Sequence, residues 1–198
     1  RAIIIAVIAL LLTGPAMAAP PEPLDAIKGP IDTVIAILND PIYKDDSLKT
    51  EQREKIWQSI SAIFDFDEIS MRAVARNWKK FKPEERKEFA AVFSKFLGNT
   101  YVDKIQGEFH NEEIVYVGQE IIKEGRALAK TLIKRETLEI PVDYRLKLMD
   151  GQWRVYDVAV EGISLVKNYR TQFKQLLKKE TPAELIKRLE KKLAEQES

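Results

Sequence analysis

The sequence predicts an α+β fold in which helices bracket one antiparallel sheet. Three observations carry this. The apolar period changes from about 3.6 residues to about 2 after His110. Four alternating segments then follow one another, two of them joined by Asp150-Gly151, a strong hairpin signal. Well-capped helical segments lie on both sides, in the N-terminal and central parts and at the C-terminal end.

Leu24, Ile27, Ile31, Val34, Ile35 and Leu38 recur at helical spacing, with Pro30 as a kink candidate and Asn39-Asp40-Pro41 as the stop. A second helix after Ser47 carries Ile56, Trp57, Ile60 and Ile63. Asp65 with Glu68 has the spacing of a cap and its box for a third, holding Phe66, Ile69, Ala73 and Val74. The long central helix opens at Pro83 with Glu84 and Glu85 at the positive end of its dipole. Phe89, Val92, Phe93, Phe96, Leu97, Tyr101 and Ile105 form its apolar stripe, and Gly107 lies near its end.

Residues 114–122, 126–136, 139–149 and 152–160 make the strands of a four-stranded antiparallel meander, with a fifth strand left open. In the third, Val142, Tyr144, Leu146 and Leu148 face one way, and Asp143, Arg145 and Lys147 the other. One face is thus covered and one wet. A helix over about 163–179 follows. Thr181-Pro182-Ala183-Glu184 opens the last one with a full capping box, and Leu185, Ile186, Leu189 and Leu193 are its apolar side.

Residues 1–18 stand apart. Arg1 precedes an apolar run from Ala2 to Leu12, Gly14-Pro15 breaks it, and Ala16-Met17-Ala18 has the small-x-small pattern of a cleavage site. The expectation is a signal peptide at 1–18, with the chain as given starting inside it, and a single exported domain at 19–198. The run is short for a membrane span.

The remaining chain has 31 basic and 31 acidic residues, because Arg1 is the one charge in the leader. That balance argues against nucleic acid as a partner, since phosphate binding needs an excess of Lys and Arg. Charge is uneven along the chain. Residues 19–70 hold 11 acids and 5 bases, and residues 162–198 hold 5 acids and 9 bases. These are either solvated helix faces or ends that meet different partners. With no cysteine there is no disulfide, thiolate metal site or Cys nucleophile.

Catalytic groups are scarce. The single His110 lies in a polar stretch without an orienting partner. Ser61, Ser70, Ser94 and Ser164 have no nucleophile-elbow context, and glycines are scattered singly. Asp65 and Asp67 suit a helix start, and Asp143 and Asp157 suit cross-strand pairs with Arg145 or Arg154. No catalytic residue, metal site or cofactor is expected, and the chain is not expected to be an enzyme. The apolar side is rich by contrast. Patterning alone leaves open whether it fills an ordinary core or lines a pocket.

Two segments resemble the MlaC family, also called the toluene-tolerance family, of periplasmic phospholipid-binding proteins. The first is FDFDEISMRAVARNWKKFKPEERKEFAAVFSKFLGNTYVDKI at 64–105. The second is IPVDYRLKLMDGQWRVYDVAVEGISLVKNYRTQF at 140–173. The order Phe-Asp-Phe, Pro-Glu-x-Arg, Pro-Val-x-Tyr-x-Leu, Trp-x-Val-Tyr-Asp, Glu-Gly-x-Ser-Leu is the specific part. Two positions depart from the pattern, both local to helix geometry: Lys82 stands where Thr or Ser often precedes the proline, and Asn77 where an aromatic often precedes the tryptophan.

The resemblance implies a periplasmic carrier with phospholipid as cargo. It would exchange lipid between an outer-membrane lipoprotein complex and an inner-membrane MCE-domain ABC transporter, and so maintain outer-membrane asymmetry. It implies acyl chains in an apolar cavity between sheet and helices, with the headgroup largely facing solvent. A monomer is expected. Candidate lipid-binding residues on the sheet side are Val142, Tyr144, Leu146, Val155, Val158 and Val160. On the helices they are Phe93, Phe96, Leu97, Tyr101, Ile163, Val166 and Tyr169. Val155 and Val158 share a face only if the strand bends or bulges. The alternatives are a small-molecule-binding or hydrolytic enzyme on a cone-like α+β scaffold, using carboxylates such as Asp143 or Asp157, or a periplasmic adaptor with a solid core.

Overall fold

The structure, a computed structural model, describes residues 21–135 and 137–196. The expectations for residues 1–18 lie outside the described residues. The elements run α1 (Pro23–Asn39), α2 (Lys49–Ser61), α3 (Phe66–Val74), α4 (Pro83–Glu108), β1 (Glu113–Lys123), β2 (Arg126–Arg135), β3 (Leu138–Met149), β4 (Gln152–Val160), β5 (Ile163–Ser164), α5 (Leu165–Leu176) and α6 (Pro182–Gln196). The α+β class stands.

Local chemistry sets most of the boundaries. Pro30 lies inside α1, and the helix ends at Asn39. The Asp40 carboxylate then accepts from Ile42 N at 3.0 Å to start a 3₁₀ turn. Asp65 caps α3 by accepting from Glu68 N at 2.9 Å. Before α4, Glu85 accepts from Lys82 N at 2.7 Å, so the first turn is closed from inside the helix although Lys82 has no capping oxygen. Thr181 and Glu184 form the reciprocal box of α6, at 3.3 and 2.7 Å. Asp150 and Gly151 both have positive φ, 49° and 77°, as a type I′ turn requires.

The five strands lie in the order β1-β2-β3-β4-β5, every pair antiparallel. The fifth strand corrects the helix expected from 163. Ile163 and Ser164 first pair with Val160 and Ala159, and Ser164 then caps α5 by accepting from Lys167 N at 3.0 Å. On the same edge of β4, Phe64 forms a parallel bridge with Val155.

The sheet has two distinct faces. Val142, Tyr144, Leu146 and Leu148 of β3 share one with their cross-strand partners Thr131, Ala129 and Ala127, and Val160, Val158, Val155 and Trp153. Helix α1 covers this face, where Ile27 packs with Ala127, Ala129, Leu146, Trp153 and Val155. A second core lies among α3, α4, α5 and α6, built on Phe81, Phe89, Phe93, Phe173 and Leu185. A small third cluster, Val34, Ile56 and Val102, joins α1, α2 and α4.

Candidate functional site

Register decides which apolar residues can act together. Opposite Arg145 and Leu146, the partner on β4 changes from Asp157 to Val155, so Tyr156 is an extra residue and β4 bulges there. The bulge turns Tyr156 and Asp157 to the face away from α1. It therefore returns Val158 to the same face as Val155, which strict alternation forbids. The condition under which both valines can belong to one surface is met.

Along that face the sheet candidates form a graded strip. Leu146 and Val155 are fully buried, and Val142 is buried. Tyr144 and Val158, direct partners in mid-sheet, are half-buried. Val160 is 44% and Ile163 70% exposed, so the strip opens at one end. Burial, opposed by a hydrogen bond with Thr131, raises the Tyr144 phenol above its ordinary pKa. At the open end the register adds residues to this face that the sequence reading missed: Ile114, Ile133 and Ile140, all half-buried, and Leu138, 52% exposed. For Leu138 and Ile140 the alternation with Thr137 and Glu139 was the available signal.

The helix candidates are gathered elsewhere. Phe93, Leu97, Val166 and Tyr169 lie buried in the helical core. There Phe93 meets Tyr169 edge-on with centroids 5.0 Å apart and Phe173 at 5.2 Å. Phe96 and Tyr101 are half-buried at the border of that core. Burial raises the phenol pKa of both Tyr101 and Tyr169, and for Tyr169 the neighbouring Tyr101 adds to it. The sheet and helix candidates thus belong to two clusters, and Phe64 is packed against both. Helix α4 packs chiefly on α6, α3 and α2 rather than on the sheet.

Two cavities lie elsewhere. One of about 80 Å³ is lined by Arg53, Trp57, Gly98 and Val102. The other, about 320 Å³, has a polar rim that includes Asn39, Asp40, Lys49 and Gln52. Neither touches the 142–148 strand, where a long apolar space was expected. In the structure the central part of the strip is closed over by α1. Its N-terminal end is fastened by Gln119, which accepts from Leu24 N at 2.6 Å, and by Trp153, which donates to Pro21 O at 2.8 Å. Farther along, Tyr116 donates to Asp32 at 2.7 Å.

The carboxylates singled out by sequence have structural partners. Asp157 is buried, accepts from Ser164 Oγ at 2.6 Å and Val166 N at 3.0 Å, and lies 3.8 Å from Arg145. It anchors the start of α5. His110 is exposed, against the Glu108 carbonyl and Arg135. Among the described residues no group of His, Asp and Glu could hold a metal ion, and no helix is long and apolar enough to cross a membrane.

A family model described as "MlaC protein" matches residues 28–191. The chain belongs to the MlaC family. A solved structure with the MlaC-like architecture is the phospholipid-binding protein of Ralstonia solanacearum in complex with a phospholipid, with a TM-score of 0.78 and 20% identity over 90% of this chain and all of that one. This likeness speaks to the fold. No curated protein matches the chain. The MlaC match spans α1 through most of α6, so both apolar clusters fall within it.

Proposed function

We propose that this chain binds phospholipid and carries it through the periplasm, with no catalytic step. The observation that carries the proposal is the apolar strip on the α1-facing side of the sheet, closed at Leu146 and Val155 and open at Val160 and Ile163. Membership of the MlaC family and the phospholipid named for the Ralstonia protein support it. The acyl chains lie along this strip, and α1 yields to admit them. Phe96 and Tyr101, half-buried at the border of the helical core and in contact with Tyr169, are the helix candidates left partly accessible to a lipid.

A lipid with about 30 methylenes would cost on the order of 24 kcal/mol to expose to water, at about 0.8 kcal/mol each. A dry protein surface and a bilayer each recover most of that, so exchange between them is nearly balanced. The partners fitted to this exchange are an outer-membrane lipoprotein complex and an inner-membrane MCE-type ABC transporter, with outer-membrane asymmetry as the result. The leader at residues 1–18 would deliver the domain at 19–198 to that compartment.

Native mass spectrometry of untreated and delipidated protein tests the carrier. The expected result is a phospholipid mass on the untreated form and its recovery after lipid is added back. Protein that arrives empty and takes up none would overturn the reading.

A further inference from the structure

We propose that the sheet face turned away from α1 is a docking surface for an acidic segment of a protein partner, centred on Arg126. Lys123, Arg126, Lys147 and Arg154 are direct neighbours across four successive strands. At about 4.8 Å per strand the row spans roughly 14 Å. Like charges placed directly opposite one another destabilise a sheet.

Neutralisation is incomplete. Arg72 of α3 adds a fifth cation. Among the described residues the acid that ion-pairs with this group is Glu68, 2.6 Å from Arg72, 3.0 Å from Lys147 and 3.4 Å from Arg126. One carboxylate pairs with three of the five cations, Arg154 is held by the Ala62 carbonyl and Gln152 instead, and Lys123 has no acidic partner among the described residues. Arg126 stacks over the Tyr156 ring at 4.8 Å, and Arg72 over the same ring at 4.4 Å. The ring holds the Arg126 guanidinium in place, yet its Nη1 is buried without a hydrogen-bond partner. A donor left so is a cost in the free protein, and a carboxylate that turned the guanidinium outward would remove it.

Recession of the group selects the partner. The side chains of Arg126, Lys147 and Arg72 are 21%, 29% and 33% exposed. A carboxylate on a protruding chain reaches them, whereas a flat bilayer surface meets the surrounding rim first. Met149, on the same face and 36% exposed, offers an adaptable apolar contact beside the charges.

The test uses the full chain and a short fluorescein-labelled peptide of alternating Asp and Ser, with an Asn-Ser peptide as control. Fluorescence anisotropy is expected to show binding of the Asp peptide only, weakening as salt rises from about 50 to about 200 mM. Arg126→Gln is expected to weaken it about tenfold. Lys123→Gln, at an exposed side chain with no hydrogen bond or ion pair among the described residues, is expected to weaken it several-fold with an unchanged thermal midpoint and unchanged phospholipid content. Equal binding of both peptides, or undiminished binding by both variants, would overturn the proposal. So would co-sedimentation with phosphatidylglycerol vesicles by a protein that ignores the Asp peptide. The peptide assay needs no bound lipid, so its failure is distinct from failure of the carrier reading.

Discussion

Glu68 is buried and yet ionised. Burial pushes its carboxyl pKa up, and the ion pairs from Arg72 and Lys147 outweigh that and hold it below the ordinary glutamate value. The folded state therefore binds its proton less tightly than the unfolded chain. The stability this confers is present above about pH 4.3 and is lost as pH falls through the lower folded value. Glu68→Gln leaves three cations without a counter-charge, and a loss of about 2 kcal/mol at neutral pH is expected in urea unfolding. The gap from the unsubstituted protein should close in acid, and a gap independent of pH would contradict this account. Sequence spacing assigned Glu68 to the capping box of α3. The Asp65 half of that assignment holds, because a cap is decided within one turn. The other half fails because Asp65 N donates to Val155 O, and Glu68 turns instead to Arg72 four residues on and to Arg126 and Lys147, 58 and 79 residues away, which no local pattern encodes.

At the scale of elements, the joint between α2 and α4 is set by one close approach. A Cβ on Gly98 would lie 2.9 Å from Trp57 Cζ3 and 3.0 Å from Cε3. The ring also meets Phe66 at a tilt of 40° with centroids 5.5 Å apart, which limits how far it can shift. Gly98→Ala would gain about 1 kcal/mol of helix propensity and lose about 1–3 kcal/mol to overpacking. The expected net effect is a thermal midpoint lowered by a few degrees. A raised midpoint would show that Trp57 moves freely. The extents of α1, α4 and all four long strands were legible from spacing, caps and the Asp150-Gly151 turn. The break between β5 and α5 was not, because Ile163 and Ser164 continue a helical apolar pattern and only pairing with Val160 and Ala159 makes them extended.

Over the whole molecule, the apolar residues expected to line one space divide into a helical core and a sheet face. Sequence gives the inventory, and packing decides the division. Phe93 and Tyr169 read as equal candidates with Tyr144 because periodicity marks a buried side without naming its neighbour. The carrier reading now concentrates on the open end of the strip. Val160→Asp and Ile163→Asp, made singly because the two residues face each other across strands and a pair of carboxylates there would repel, change side chains that are 44% and 70% exposed, so stability should hold to within about 0.5 kcal/mol each. Phospholipid retention by native mass spectrometry is expected to fall several-fold, and full retention would count against this end as the entry.

The extra residue at Tyr156 has a consequence for both sides of the sheet at once. Were β4 to run in strict alternation with Tyr156 kept, the parity of everything between Asp157 and Val160 would reverse. The valines would be carried to the charged side and Asp157 away from the start of α5. One extra residue in β4 thus lets two valines and a helix-anchoring carboxylate each reach the side that plain alternation would deny them, while its own ring forms the platform under Arg72 and Arg126.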